Sequence, residues 1–170
     1  VAARRTQFSI GAYAVLASPD YSLVVTTGED VTHAYDGKTS LREALEYAQM
    51  IYDTTGVTCT ISFDTPQIGG DIVTINATLD ISNFSVNING GSQGVMIVAS
   101  ADFAGSSMIT IDGNGNKVNL TNVSVNGNKV AQGIVNNGAD LTISGGRFTN
   151  TKGENGAAVS SLAGLLVING

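Results

Sequence analysis

Val118-Asn-Leu-Thr-Asn-Val-Ser-Val-Asn-Gly-Asn128 is the stretch whose reading decides the fold of this chain. Apolar residues fall at every second position on either side of Asn122, so they share one face of a strand while Thr, Ser and Asn share the other. The run closes on Gly and Asn, which supply the positive-φ backbone of a tight corner. The pattern recurs upstream as Phe84-Ser-Val-Asn-Ile-Asn-Gly-Gly91 and Met108-Ile-Thr-Ile-Asp-Gly-Asn-Gly-Asn116. Downstream it recurs as Asp140-Leu-Thr-Ile-Ser-Gly-Gly146 and Gly164-Leu-Leu-Val-Ile-Asn-Gly170. Matching positions lie roughly 20 to 25 residues apart, a period that marks stacked repeats. Leu120, Leu141 and Leu165 form one series, Asn128 and Asn150 another. Since the units are strands, the pattern predicts an all-β chain: a right-handed parallel β-helix, or β-solenoid. The pairs Asn89-Gly90, Asn126-Gly127, Asn137-Gly138, Asn155-Gly156 and Asn169-Gly170 also suit two-residue hairpin turns. A hairpin needs strands on both sides of each pair, whereas several pairs here lead into long polar stretches.

Composition narrows the function classes. Charged residues make up 13% of the 170, against about 25% in an average soluble domain. The surface is therefore covered by Thr, Ser, Asn and the 21 Gly, which accords with a secreted or cell-surface protein. A net charge of −6 and eight scattered Lys and Arg provide no basic stripe, which excludes nucleic acid as a partner. The single cysteine, Cys59, excludes an internal disulfide and a Cys-based zinc site. It alternates with Val57, Ile61 and Phe63 and reads as a small buried residue. A reactive thiol would need an activating His or cation, and none is near in sequence. No run approaches 18 apolar residues, so no transmembrane helix is expected. Arg4-Arg5, the apolar Phe8–Ala17 and Ser18-Pro19 have the outline of a signal peptide. With Val at position 1, the segment reads instead as a processed start or a cut from a longer chain, with a strand over Thr6–Ala17.

The composition shifts near residue 75. All fifteen Asn follow it, all five Tyr lie in the first 52 residues, and nine of the fourteen acids precede residue 76. Three parts follow: an N-terminal extension over 1–21 that could serve as an assembly strand, an N-terminal cap over 22–75, and β-helix coils over 76–170. Within the cap, Ser40 and Glu43 form a capping box opening a helix over about 40–53. Leu41, Ala44, Leu45, Ala48, Ile51 and Tyr52 make its apolar face, while Arg42, Glu43, Glu46 and Gln49 point away from it. Asp53-Thr-Thr-Gly56 ends it. An amphipathic helix at this place covers the first coil, which would otherwise expose apolar rows and unpaired strand edges.

Thr39-Ser-Leu-Arg-Glu-Ala44 resembles the Cys-Ser-Leu-Arg-Glu-Ala segment that opens many large bacterial extracellular β-helix proteins, autotransporter passengers and adhesins among them. The context is similar too: Leu23-Val-Val-Thr-Thr27 before it, Ile61-Ser-Phe-Asp64 after it, then Leu79-Asp-Ile-Ser82 and Gly133-Ile-Val-Asn-Asn-Gly138. The resemblance covers roughly residues 22 to 170. It implies a surface or secreted structural and adhesive chain. Thr39 stands where the family has Cys, which removes any role for that thiol.

Chemistry-bearing residues are sparse. His33, the sole histidine, sits beside Glu29, Asp30 and Asp36 and reads as part of a solvated acidic loop. Ile111-Asp-Gly-Asn-Gly115 resembles a short motif of pectin-degrading hydrolases, but the Asn-Thr-Asp and Asp-Asp motifs that carry their acid pair are missing. Glycoside cleavage needs two carboxylates about 5 to 10 Å apart; after Ile75 only Asp80, Asp102, Asp112, Asp140 and Glu154 remain. Asp112-Gly-Asn-Gly-Asn116 starts like a calcium loop, yet Lys117 and Val123 occupy the places of its Gly and closing Glu. The sequons at Asn76, Asn83, Asn119 and Asn122 are no more than the abundance of Asn, Ser and Thr produces.

The sequence therefore predicts no catalytic, cofactor or metal residues. It predicts a non-enzymatic extracellular scaffold or adhesin, with surface glycans as candidate ligands. A carbohydrate-binding or polysaccharide-degrading β-helix is the alternative. Leu165-Leu-Val-Ile-Asn-Gly170 stops in mid-pattern, so the expectation is continuation into a longer β-helix or head-to-tail self-association. A head-to-tail contact of this kind does not close and builds a filament. Thr6–Ala17 is expected to pair with the open end of a neighbour.

Overall fold

Alternation leaves each strand one face to bury, and in the computed structural model all these faces turn to one interior. The structure describes residues 19–154 and 157–170; the strand expected over Thr6–Ala17 lies outside them. One face of the solenoid stacks β1 (Val24–Val25), β2 (Cys59–Phe63), β4 (Val86–Asn89), β6 (Lys117–Thr121), β9 (Asp140–Ser144) and β12 (Leu166–Asn169), in that order. Between them β3 (Ile72–Ser82) and β5 (Val95–Asp112) each run through two further faces. Their first halves align with β7 (Val123–Asn126) and β10 (Phe148–Thr149). Their second halves align with β8 (Gln132–Asn137) and β11 (Val159–Ala163). Every pairing is parallel, giving a β-solenoid of about 4 turns. The hairpin reading fails accordingly: β8 and β9, which flank Asn137-Gly138, pair with other coils and not with each other.

Successive coils take 27, 32, 23 and 25 residues, counted between the bonded neighbours Thr60 and Asn87, Asn87 and Asn119, Ser124 and Arg147, and Ser144 and Asn169. The long coil carries its extra residues in the middle of β5, where 101–106 are exposed except for Phe103, which folds back against the core. Uneven corners shift the register that equal spacing suggests. Leu141 pairs with Val118 and Leu166, while Leu120 pairs with Ile143. Leu120, Leu141 and Leu165 are therefore not one rung, and Leu165 points away from the stack's interior row with 59% exposure. The Asn series is offset as well: Thr149 pairs with Asn126, which sets Asn150 beside Gly127, although Asn128 and Asn150 both turn at φ 49°.

The core is a set of aliphatic rungs. Ile61, Ile88, Leu120 and Ile143 stack in register and are at most 2% exposed, each contributing about 1.5–3 kcal/mol by leaving water. Cys59 is buried in the neighbouring rung, as expected; Val57 precedes β2 and is exposed. One rung changes character, running Ile81, Ile111, Asn136, Ser161. Asn136 is fully buried, and its amide donates to the Ala139 and Ala163 carbonyls and to Ser161 Oγ. Its Oδ1 accepts the Gly138 and Ala139 N–H groups. A corner thus supplies the partners that a buried amide needs. At two other corners only glycine fits: Gly146 (φ 86°) and Gly164 (φ 79°) lie so close to the Val123 and Ala139 carbonyls that a Cβ would collide.

Helix α1 (Leu41–Thr55) begins on Ser40 with both halves of the capping box and ends on Gly56 at φ 70°. It runs two residues past the expected end, because Asp53-Thr-Thr55 remains helical until glycine reverses the chain. Leu41, Ala44, Leu45 and Ala48 are buried, and Ile51 and Tyr52 pack partly against the core. A one-turn helix not anticipated from sequence, α2 (Thr65–Ile68), is started by the Asp64 side chain and Pro66. β1 and β2 join the same face as the later strands, so the stack runs continuously across residue 76.

Candidate functional site

The segment Ser40-Leu41-Arg42-Glu43-Ala44 is where the most side-chain interactions converge, and each residue has a distinct task. Ser40 Oγ accepts the Glu43 N–H and donates to the Val31 carbonyl at 2.6 Å. Glu43 takes the Ser40 N–H on one oxygen (2.8 Å) and the His33 N–H on the other (2.6 Å). Leu41 and Ala44 enter the core. Arg42 does not face solvent, as its place on the helical wheel suggested. Its Nε and Nη2 donate to the two oxygens of Asp30 at 2.8 and 2.7 Å. Its Nη1 and Nη2 also reach the Thr78 and Ala77 carbonyls on β3 at 3.0 and 2.9 Å. Asp30 in turn accepts the Asn76 N–H.

This clamp ties the cap to the first corner of the coils. The side chains of Arg42 and Asp30 are 22% and 4% exposed, so the two-pronged pair is shielded from water. Hydrogen bonding to Asp30 raises the guanidinium above its ordinary value, against the opposing effect of burial. That stabilisation is present below the ordinary arginine value, with Asp30 ionised, and is lost as the pH rises into strong alkali. The capping box was legible in sequence. The clamp was not, because its acceptors lie 35 and 36 residues away.

The other candidates are dispersed. The acidic loop around His33 is only partly a solvated loop: Asp30 is committed to Arg42, Asp36 takes the Lys38 N–H, and His33 and Glu29 are exposed. Asp112 binds the Asn137 amide and Asp140 the Leu165 N–H, each tying one coil to the next. Asp80, Asp102 and Glu154 are exposed. Asp80 and Asp112 come closest to a pair: they stand on adjoining strands, two register positions apart. No group of three or more metal-ligating residues gathers among the described residues. Of the sequon asparagines, Asn76 and Asn83 are exposed, while the Asn119 and Asn122 amides donate to Asn87 and to the Gly91 carbonyl. No described helix is long and apolar enough to cross a membrane.

The flat face built on β2, β4 and β6 carries an outward polar row. Asn119 donates to Asn87 at 2.7 Å, and Asn87 to Thr60 at 3.2 Å. At the far end the pattern of burial breaks: Leu162, Leu165 and Ile168 are 74%, 59% and 62% exposed. No protein-family model matches this chain, and neither the curated proteins nor the solved structures contain a match.

Proposed function

We propose that this chain is a non-enzymatic, extracellular structural and adhesive β-solenoid, a rigid element of a cell surface or filament. The observation that carries the reading is the unbroken stack of parallel strands, six deep on one face, with an outward polar row of Thr60, Asn87 and Asn119. The low-charge Thr/Asn/Gly surface and the resemblance of Ser40–Ala44 to bacterial extracellular β-helix proteins support the location. Sedimentation velocity and negative-stain microscopy test it: head-to-tail rods that lengthen with concentration are expected, and a strictly monomeric particle at all concentrations would remove the assembly role. A glycan array then separates an adhesin from a purely structural subunit.

A second reading, a polysaccharide-degrading β-helix, draws on Asp80 and Asp112. A depolymerisation screen comparing the unaltered chain with Asp112→Asn decides it.

A further inference from the structure

The outer flank of α1 carries a feature that the capping role leaves unused. Glu43, Glu46, Tyr47 and Met50 follow at spacings of three, one and three, so they share one stripe of the helix, away from the buried Leu41–Ala48 face. Opposite them stand Asp20 and Tyr21, and a cleft of about 260 Å³ lies between. Tyr21 and Tyr47 stack with ring centroids 5.4 Å apart and 14° between their planes. Tyr21 is 54% and Met50 44% exposed, so these two lining side chains are accessible to a ligand. Three carboxylates and no Lys or Arg line it. Asp20 is fixed by the Gly37 N–H and Glu43 by two backbone donors. Glu46 is exposed and lies within electrostatic reach of the Arg42 guanidinium.

We propose that this cleft binds an organic cation, an ammonium or guanidinium group carried on an apolar stem. Tyrosine ring faces attract such cations through their quadrupole, more strongly where water is displaced. The convergent carboxylates add a focused negative potential over a low-dielectric wall, and the rings and Met50 cover the stem. A neutral ligand would satisfy the rings and leave the acids without a counter-charge; a metal ion would gain nothing from the rings.

Calorimetric titration of the whole chain with Nα-acetyl-arginine ethyl ester, against the neutral Nα-acetyl-citrulline ethyl ester, tests the proposal. The charged ester is expected to bind and the neutral one to bind at least tenfold more weakly, with affinity falling as salt rises. Glu46→Gln and Tyr21→Ala should each cost about fivefold, and Tyr21→Phe, which keeps the ring face, close to nothing. Unchanged far-UV circular dichroism separates lost binding from lost folding. The same chemistry is present in the chain's own Arg4 and Arg5. Binding seen only in Arg4→Ala/Arg5→Ala would assign the cleft to those arginines and uphold its cation specificity. Absence of charge-selective binding in both the unaltered and the double-variant chains would overturn the proposal.

Discussion

The two ends of the described stack meet the same physical problem with different means. A coil in the middle buries its aliphatic rung between two neighbours; a coil at an end has one neighbour, so half of its rung and one row of strand edges look outward. At the first coils α1 covers the rung with Leu41, Ala44, Leu45 and Ala48, and the Arg42–Asp30 clamp fastens that cover to β3. At β12 the last residue of the row is open: Ile168 continues the Ile61–Ile88–Leu120–Ile143 row yet is 62% exposed, while Val159 and Leu166 remain partly packed against the core. The same side chain in the same register thus has a different energetic value according to what lies above it. In solenoids stability is a sum over coils and their interfaces, so the contrast can be measured one rung at a time.

The largest effect is expected inside that row. Ile88→Ala removes a fully enclosed side chain between Ile61 and Leu120 and should lower unfolding stability by about 2–5 kcal/mol in chemical denaturation. A loss close to zero would mean that the rungs do not hold the coils together. Next comes the clamp. Arg42→Ala leaves Asp30 shielded and unpaired and two carbonyls short of a donor, a cost of about 2–3 kcal/mol after allowing for the guanidinium's partial exposure. Asp30→Ala/Arg42→Ala should cost clearly less than the two single changes summed. Additive losses in that cycle would show that Arg42 and Asp30 act independently of each other.

Where the sequence was readable, the signals were local. Ser40, Glu43 and Gly56 bound α1 because capping chemistry is decided within four residues, and alternation showed the buried face of β4, β6, β7 and β9. The clamp was out of reach because the Arg42 partners belong to a corner brought close only by coiling. Register was out of reach for a related reason: corners absorb extra residues without changing the strands they join, so Leu166 rather than Leu165 meets Leu141. α2 was within reach, since Asp64 followed by Pro66 is an N-terminal signature. The cleft on the cap was not, because Tyr21 comes from a loop that only the fold sets against Tyr47.

A smaller effect separates the cap's hydrogen bonds from its packing. Ser40→Ala removes the acceptor for the Glu43 N–H and the donor to Val31 while leaving Leu41 and Ala44 in the core. About 1 kcal/mol is expected, measured as a shift in denaturation midpoint at constant slope.

The smallest effect on the isolated fold is expected at the open end, and it sharpens the comparison most. Ile168→Ala trims a residue in register with Ile88 but mostly in water, so its cost should stay within about 0.5 kcal/mol. Ile168→Lys should be similarly mild for folding, because a lysine stem still covers Leu166 while its charge reaches solvent. A further β layer would have to bury that charge, so the substitution should abolish concentration-dependent association in sedimentation velocity. If Ile168→Ala costs as much as Ile88→Ala, the row is enclosed at both ends and the asymmetry between them is lost. If Ile168→Lys associates like the unaltered chain, contact between copies runs through another surface.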